Sequence, residues 1–124
     1  VAAPWSRIQK LYDSAIAALG RVPGIWNGSA HSSHAYRSGI NLYFSFAVQP
    51  QNKDLRAAYY ACWQAVMEAT LDAGGTISHH HGIGRVRRPW LERELGASGV
   101  ATLRKVKAAL DPAGIMNPGV LLPE

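Results

Sequence analysis

Between Ile40 and Val48 every second residue is apolar. Ile40, Leu42, Phe44, Phe46 and Val48 fall on one side, and Asn41, Tyr43, Ser45 and Ala47 on the other. A two-residue repeat of this length is a strand with one covered face. Something apolar must therefore cover it. Asp54 to Ala73, just downstream, reads as a long helix in which Leu55, Tyr59, Cys62, Val66 and Ala69 form one stripe, widened by Trp63, Met67 and Leu71. A stripe that broad suits a helix lying on a sheet.

The remaining elements follow from the same two periods. Pro4 to Leu19 has helical spacing through Trp5, Ile8, Leu11, Tyr12, Ala15, Ile16 and Leu19, with Gly20 at its exit. Ile25 to Tyr36 is a weaker strand, diluted by Gly28 and several serines, and Arg37-Ser38-Gly39 reads as the hairpin turn into the strong strand. Gly74-Gly75 stops the long helix, and Thr76 to Ser78 reads as a short strand. Pro89 to Leu95 is a short helix. Ser98 to Leu110 is a second one, with Val100, Leu103, Val106 and Leu110 inward and Asp111-Pro112 at its end. The tail "AGIMNPGVLLPE" is too rich in Pro and Gly for regular structure.

Hairpin plus covering helices is an α+β layer. The order fits a ferredoxin-like (split βαβ) antiparallel sheet with helices on one face, its first strand lying upstream of Val1, followed by a C-terminal helical tail. The expected division is 1–88 for the layered part and 89–124 for the tail. A sheet lacking its first strand would expose an edge and an apolar face, so self-association as a homodimer is expected.

With 124 residues, 48% of them hydrophobic, the chain suits one ordinary domain or a piece of a larger protein, not a disordered segment. It holds no apolar run long enough to cross a membrane and no signal-peptide pattern. A single cysteine, Cys62, excludes an internal disulfide. The net charge of +5 suits solvated helix faces or a phosphate-bearing ligand. No nucleic-acid partner is expected, and the location is read as cytoplasmic, with peripheral membrane contact left open.

The five histidines form two clusters, His31 with His34 and His79 to His81, the latter inside "GGTISHHHGIGRVRRPW". Three readings stand. A metal needs ligands converging on one point. His31-x-x-His34 offers that from a turn, but adjacent His79 and His80 point to opposite sides of an extended chain and no second cysteine or carboxylate cluster joins them. No metal is expected. The second reading is a structural loop. The third is acid–base work, because histidine changes charge near neutral pH, Tyr36 adds a phenol, and Arg85, Arg87 and Arg88 suit an anion or solvent. Gly82-Ile83-Gly84 lets backbone pass close to a flat ligand.

"GGTISHHHGIGRVRRPW", "LRKVKAALDPAGIMNPGVLLP" and "SAHSSHAYRSGINLYFSF" together resemble the C-terminal part of FAD-linked oxidases of the vanillyl-alcohol-oxidase type. The triple histidine resembles the alkyldihydroxyacetonephosphate synthase branch, where the hydroxy-acid enzymes more typically carry "GEHGIG". The resemblance implies the end of a cap, or substrate, domain and a tail returning to the protein's own N-terminal FAD-binding domain. It implies FAD as cofactor and a small or lipid-like phosphorylated substrate whose acyl group is exchanged for an alkyl group without net redox change. Oxidation of a hydroxy acid or alcohol and a non-catalytic binding module stay open beside it. By motif position it implies Tyr36, His80 and His81 as catalytic, His79, Gly82, Gly84 and Asn117 beside the cofactor, and His34 and Arg85 at the substrate. Alternation turns His79 away from its neighbour's face, so its loss is expected to be the mildest of the three.

Overall fold

The computed structural model describes residues 1–122. It is α+β, and by packing it divides into two compact units, Val1–His79 and a second from His80 on.

In the first unit β1 (Ala2–Pro4) leads directly into α1 (Trp5–Leu19). Then come β2 (Ile25–His31), β3 (Gly39–Asn41), β4 (Tyr43–Val48) and α2 (Leu55–Asp72). The strands make two small antiparallel sheets, β1 with β3 and β2 with β4. Two expectations change here. A strand precedes α1 within the chain, at Ala2–Pro4, paired to Gly39–Asn41. The strong strand is also cut in two, because Asn41 and Leu42 are both buried and strict alternation fails between them. Leu42 enters the apolar core. Asn41 turns inward to bond a loop. From Phe44 on the alternation resumes, with Ser45 and Ala47 exposed.

The core of this unit is Leu11 and Ala15 of α1, Ala69 and Ala73 of and after α2, Ala3 and Leu42, with Val1, Ile8, Ala30 and Phe44 packed on it. Fully burying a Leu-sized side chain contributes about 1.5–3 kcal/mol. Leu11, Leu19, Cys62, Met67 and Ile77 are almost wholly covered. The stripe assigned to α2 starts too early. Leu55 and Tyr59 are exposed, and burial begins at Ala58. Asp54 caps the helix, its Oδ1 accepting from the Ala57 N–H at 2.9 Å.

α2 ends in a Schellman turn. The Gly74 N–H bonds the Leu71 carbonyl (2.8 Å) and the Gly75 N–H the Thr70 carbonyl (2.9 Å), with Gly74 left-handed at φ +70°. Thr76 then forms a β-bridge to Ala2, on the strand whose other side pairs with β3.

In the second unit a short turn of 3₁₀ helix (Arg88–Trp90) opens α3 (Leu91–Leu110). Gly96, at φ +73°, breaks α3 where two helices were expected. Trp90, Leu91 and Val100 are buried, but Val106 and Leu110, expected inward, are exposed. After Asp111 the described tail is turns. No helix among the described residues is long and apolar enough to cross a membrane.

Candidate functional site

β1 brings two distant loops together. On one side it pairs with β3, where Gly39 sits so close that a Cβ there would stand 2.3 Å from the Ala3 carbonyl oxygen. That contact seats the tight turn at Arg37-Ser38, closed by the Tyr36 N–H on the Gly39 carbonyl (2.8 Å). The expected turn is therefore present, but it joins Tyr36 to β3 and is nested inside the longer connection from β2 to β4. The Trp5 indole N–H holds the Tyr36 carbonyl at 2.9 Å. On its other side β1 holds Thr76, with the Thr76 N–H on the Ala2 carbonyl at 2.8 Å. Gly75 has no room for a side chain, since a Cβ would meet Leu11 Cδ1 at 2.7 Å and the Ala2 carbonyl oxygen at 2.8 Å. Buried Ile77 anchors the segment, and His79 follows.

The result is a pair. The Tyr36 hydroxyl stands 3.0 Å from His79 Nε2, with ring centroids 5.5 Å apart. Tyr36 lines an open cleft of about 370 Å³ that runs past Gly39 and Gly75. His34 lies beside His79 at 5.4 Å between centroids, and Tyr43 lies beyond His34. The loop carrying His34 is set by Asn41. Its buried Oδ1 accepts from the Ser32 hydroxyl (3.0 Å), the Ser33 N–H (3.4 Å) and the His34 N–H (3.0 Å). A phenol bonded to an imidazole is a proton donor–acceptor pair, and here it is partly exposed.

Of the residues expected at the site, the first unit thus brings together Tyr36, His79 and His34. Sequence reasoning missed Tyr43 and Asn41, which alternation placed on the far face of the strand, and the link from His34 to His79. The one available signal was the serine-rich stretch before His34, whose backbone needs an acceptor such as a buried amide.

His80 and His81 belong to the second unit, where their rings meet edge-on at 4.3 Å. Gly82 and Gly84 are left-handed (φ +71° and +59°), and a Cβ at either would meet nothing within 4 Å. Their need for glycine is conformational, and the space around them is open. The arginines hold carbonyls. Arg87 reaches Gly82 (2.6 Å), Arg85 reaches Pro118 (2.9 Å) and Arg88 reaches Gly119 (2.7 Å). The Leu121 N–H adds a bond to the Gly84 carbonyl at 3.3 Å. The glycine loop and the tail turn are thereby tied to each other. Asn117, left-handed at φ +45°, starts that turn, its carbonyl accepting from the Val120 N–H at 3.2 Å. Asp111 closes the rest of the tail, bonding Lys107 and the N–H groups of Met116 (2.9 Å) and Ile115 (3.1 Å). The Lys107 ammonium, with these N–H groups, holds the Asp111 carboxyl below the usual carboxylate range.

The family described as "FAD linked oxidases, C-terminal domain" matches residues 1–121. Alkyldihydroxyacetonephosphate synthase of Trypanosoma brucei brucei is 38% identical over 120 residues, covering 96% of this chain and 19% of that protein. The enzyme of the same name from Dictyostelium discoideum is 39% identical over 95 residues, covering 76% and 15%. An uncharacterized FAD-linked oxidoreductase of Escherichia coli O157:H7 is 34% identical over 127 residues, covering 96% and 26%. The chain spans about a fifth of the length of the first of these relatives.

Proposed function

The chain belongs to the FAD-linked oxidases as their C-terminal domain, and from that premise we propose that it supplies the acid–base groups of an alkyldihydroxyacetonephosphate synthase-like enzyme. The supporting observation is the Tyr36–His79 bond, a phenol and an imidazole held at 3.0 Å by loops that share one strand.

The residues present suit the edge of a flavin ring. In the first unit these are the Tyr36 hydroxyl and the His79 imidazole. Holding FAD falls to an N-terminal FAD-binding domain, the partner that membership of this family implies. When bound, FAD would supply an electrophilic ring system. The chain's own groups handle protons. Exchanging an acyl for an alkyl group on dihydroxyacetone phosphate needs a proton removed beside the ketone and another moved between the departing carboxylate and the arriving alcohol. Tyr36 takes or gives that proton at its phenol oxygen, and His79 balances the charge through Nε2. His80 and His81 offer imidazoles of the same acid–base chemistry on the second unit, and Asn117 shapes the tail turn beside the glycine loop.

The test is substrate turnover by the full-length flavoprotein carrying this segment. Acyl-dihydroxyacetone phosphate with a long-chain alcohol should give the alkyl product with no net change in flavin absorbance. Steady bleaching of the flavin by small hydroxy acids, without alkyl transfer, would overturn this reading in favour of an oxidase.

A further inference from the structure

The rings do not stop at Tyr36 and His79. His34 Nδ1 has the Ser33 hydroxyl at 2.8 Å and the Tyr43 hydroxyl at 3.3 Å. Tyr43 is stacked on exposed His31, with centroids 5.1 Å apart and planes 20° from parallel. The nitrogens of His34 and His79 come within 4.8 Å, a gap short enough for one water to bridge. Among the titratable rings facing His34 are Tyr43 from β4 and His79 from the segment after α2.

We propose that His34 is a proton-exchange residue, which draws the proton off the Tyr36–His79 pair and releases it to solvent, with the Tyr43 hydroxyl at its Nδ1. The proposal rests on the acid–base reading above. When Tyr36 gives its proton to His79, an N–H bond forms at Nε2 and one breaks at Nδ1. The released proton crosses to His34, which becomes the imidazolium and later loses it to solvent. Tyr36, its O–H bond broken, is left as the phenolate and regains that bond by taking the proton from beside the substrate ketone, so one proton enters, one leaves and no other reactant is consumed.

Two features fit His34 for this and not for a passive place in the loop. Its backbone is clasped by buried Asn41 through the His34 N–H, which aims the ring. Its Nδ1 partners are hydroxyls, which donate to a neutral imidazole and accept from a charged one. Either charge state is therefore satisfied. A backbone carbonyl in their place would favour a single state.

The experiment uses the full-length flavoprotein with acyl-dihydroxyacetone phosphate and a long-chain alcohol. His34→Gln keeps size and polarity but carries no proton. It should lower kcat about 10-fold or more, leave KM near the parent value and flatten the pH profile of kcat. Imidazole in the buffer should restore rate to His34→Ala, and Tyr43→Phe should fall between parent and His34→Gln. Histidine-ring NMR of the same protein without substrate should show the His79 titration curve moved by His34→Gln. A rise in KM with unchanged kcat would overturn the proposal and make His34 a substrate contact. So would normal kcat with an unmoved His79 curve. If Tyr36→Phe is inactive while His34→Gln is normal, only this extension fails. If Tyr36→Phe is itself normal, the acid–base reading beneath it fails.

Discussion

The two units hold their loops by different physics. In Val1–His79 the loops carrying Tyr36 and His79 hang from β1, and β1 rests on a core of Leu11, Ala15, Leu42 and Ala69. From His80 on, the glycine loop and tail turn are held by guanidinium-to-carbonyl bonds from Arg85, Arg87 and Arg88, and by the Lys107–Asp111 pair. Apolar burial is insensitive to salt and pH. Charge-assisted clasps are directional, more exposed and open to both. The pair proposed to handle protons, Tyr36 and His79, needs fixed geometry and sits in the unit with the apolar frame. The loop at Gly82 and Gly84 needs glycine conformations, and clasping its ends fixes it without filling its open side.

The largest break in this contrast should come from Leu11→Ala. Removing a fully buried Leu typically costs about 2–5 kcal/mol. Chemical denaturation should show a loss in that range, and amide exchange should rise at β1 and β3. A loss no greater than that of a surface substitution would mean that the strand is held by something else.

Asn41→Ala should come next, at about 1–3 kcal/mol, because it strips the acceptor from Ser32, Ser33 and His34. Amide exchange at 32–34 should rise first. Unchanged protection there would show that the loop does not depend on the carboxamide.

Arg88→Ala should cost about 1 kcal/mol and act locally, raising exchange at 117–121. High salt should imitate part of that effect, while leaving exchange at β1 unchanged. If 117–121 stays protected in the variant, the clasp is not what shapes the tail turn.

The smallest effect concerns Asp111. Its folded carboxyl lies below the ordinary value, so it stabilises the tail above the ordinary carboxylate range and loses that contribution as pH falls through it. Asp111→Asn should remove the acid-side weakening of exchange protection at Ile115 and Met116. A pH profile identical to the parent's would contradict the linkage.

The elements were legible in sequence where one period ran undisturbed. α1, α2 from Ala58 on, the break at Gly96 and the stop at Gly74-Gly75 all follow from spacing and glycine chemistry. The failures have specific causes. Alternation cannot report that Asn41 turns inward, because a buried amide looks like any polar position until its acceptor work is seen. It cannot show that Ala2–Pro4 is a strand, since three residues carry no period. The site suffered most from this. Extended-chain geometry set His79 apart from its neighbours' chemistry, whereas the bridge from Thr76 to Ala2 delivers it to Tyr36. Val106 and Leu110 keep helical spacing yet lie exposed, because periodicity marks a face and does not guarantee a cover.

The central claim is that Tyr36 and His79 act as one acid–base pair. The most direct measurement is turnover per bound flavin for Tyr36→Phe in the full-length protein. This change deletes the hydroxyl 3.0 Å from His79 Nε2 and keeps the ring. The account predicts a fall of about 10²- to 10⁴-fold with flavin content and melting temperature unchanged. His79→Ala, added to that variant, should cost little more, since the two share one function. Near-normal turnover in Tyr36→Phe at full flavin loading would contradict the account.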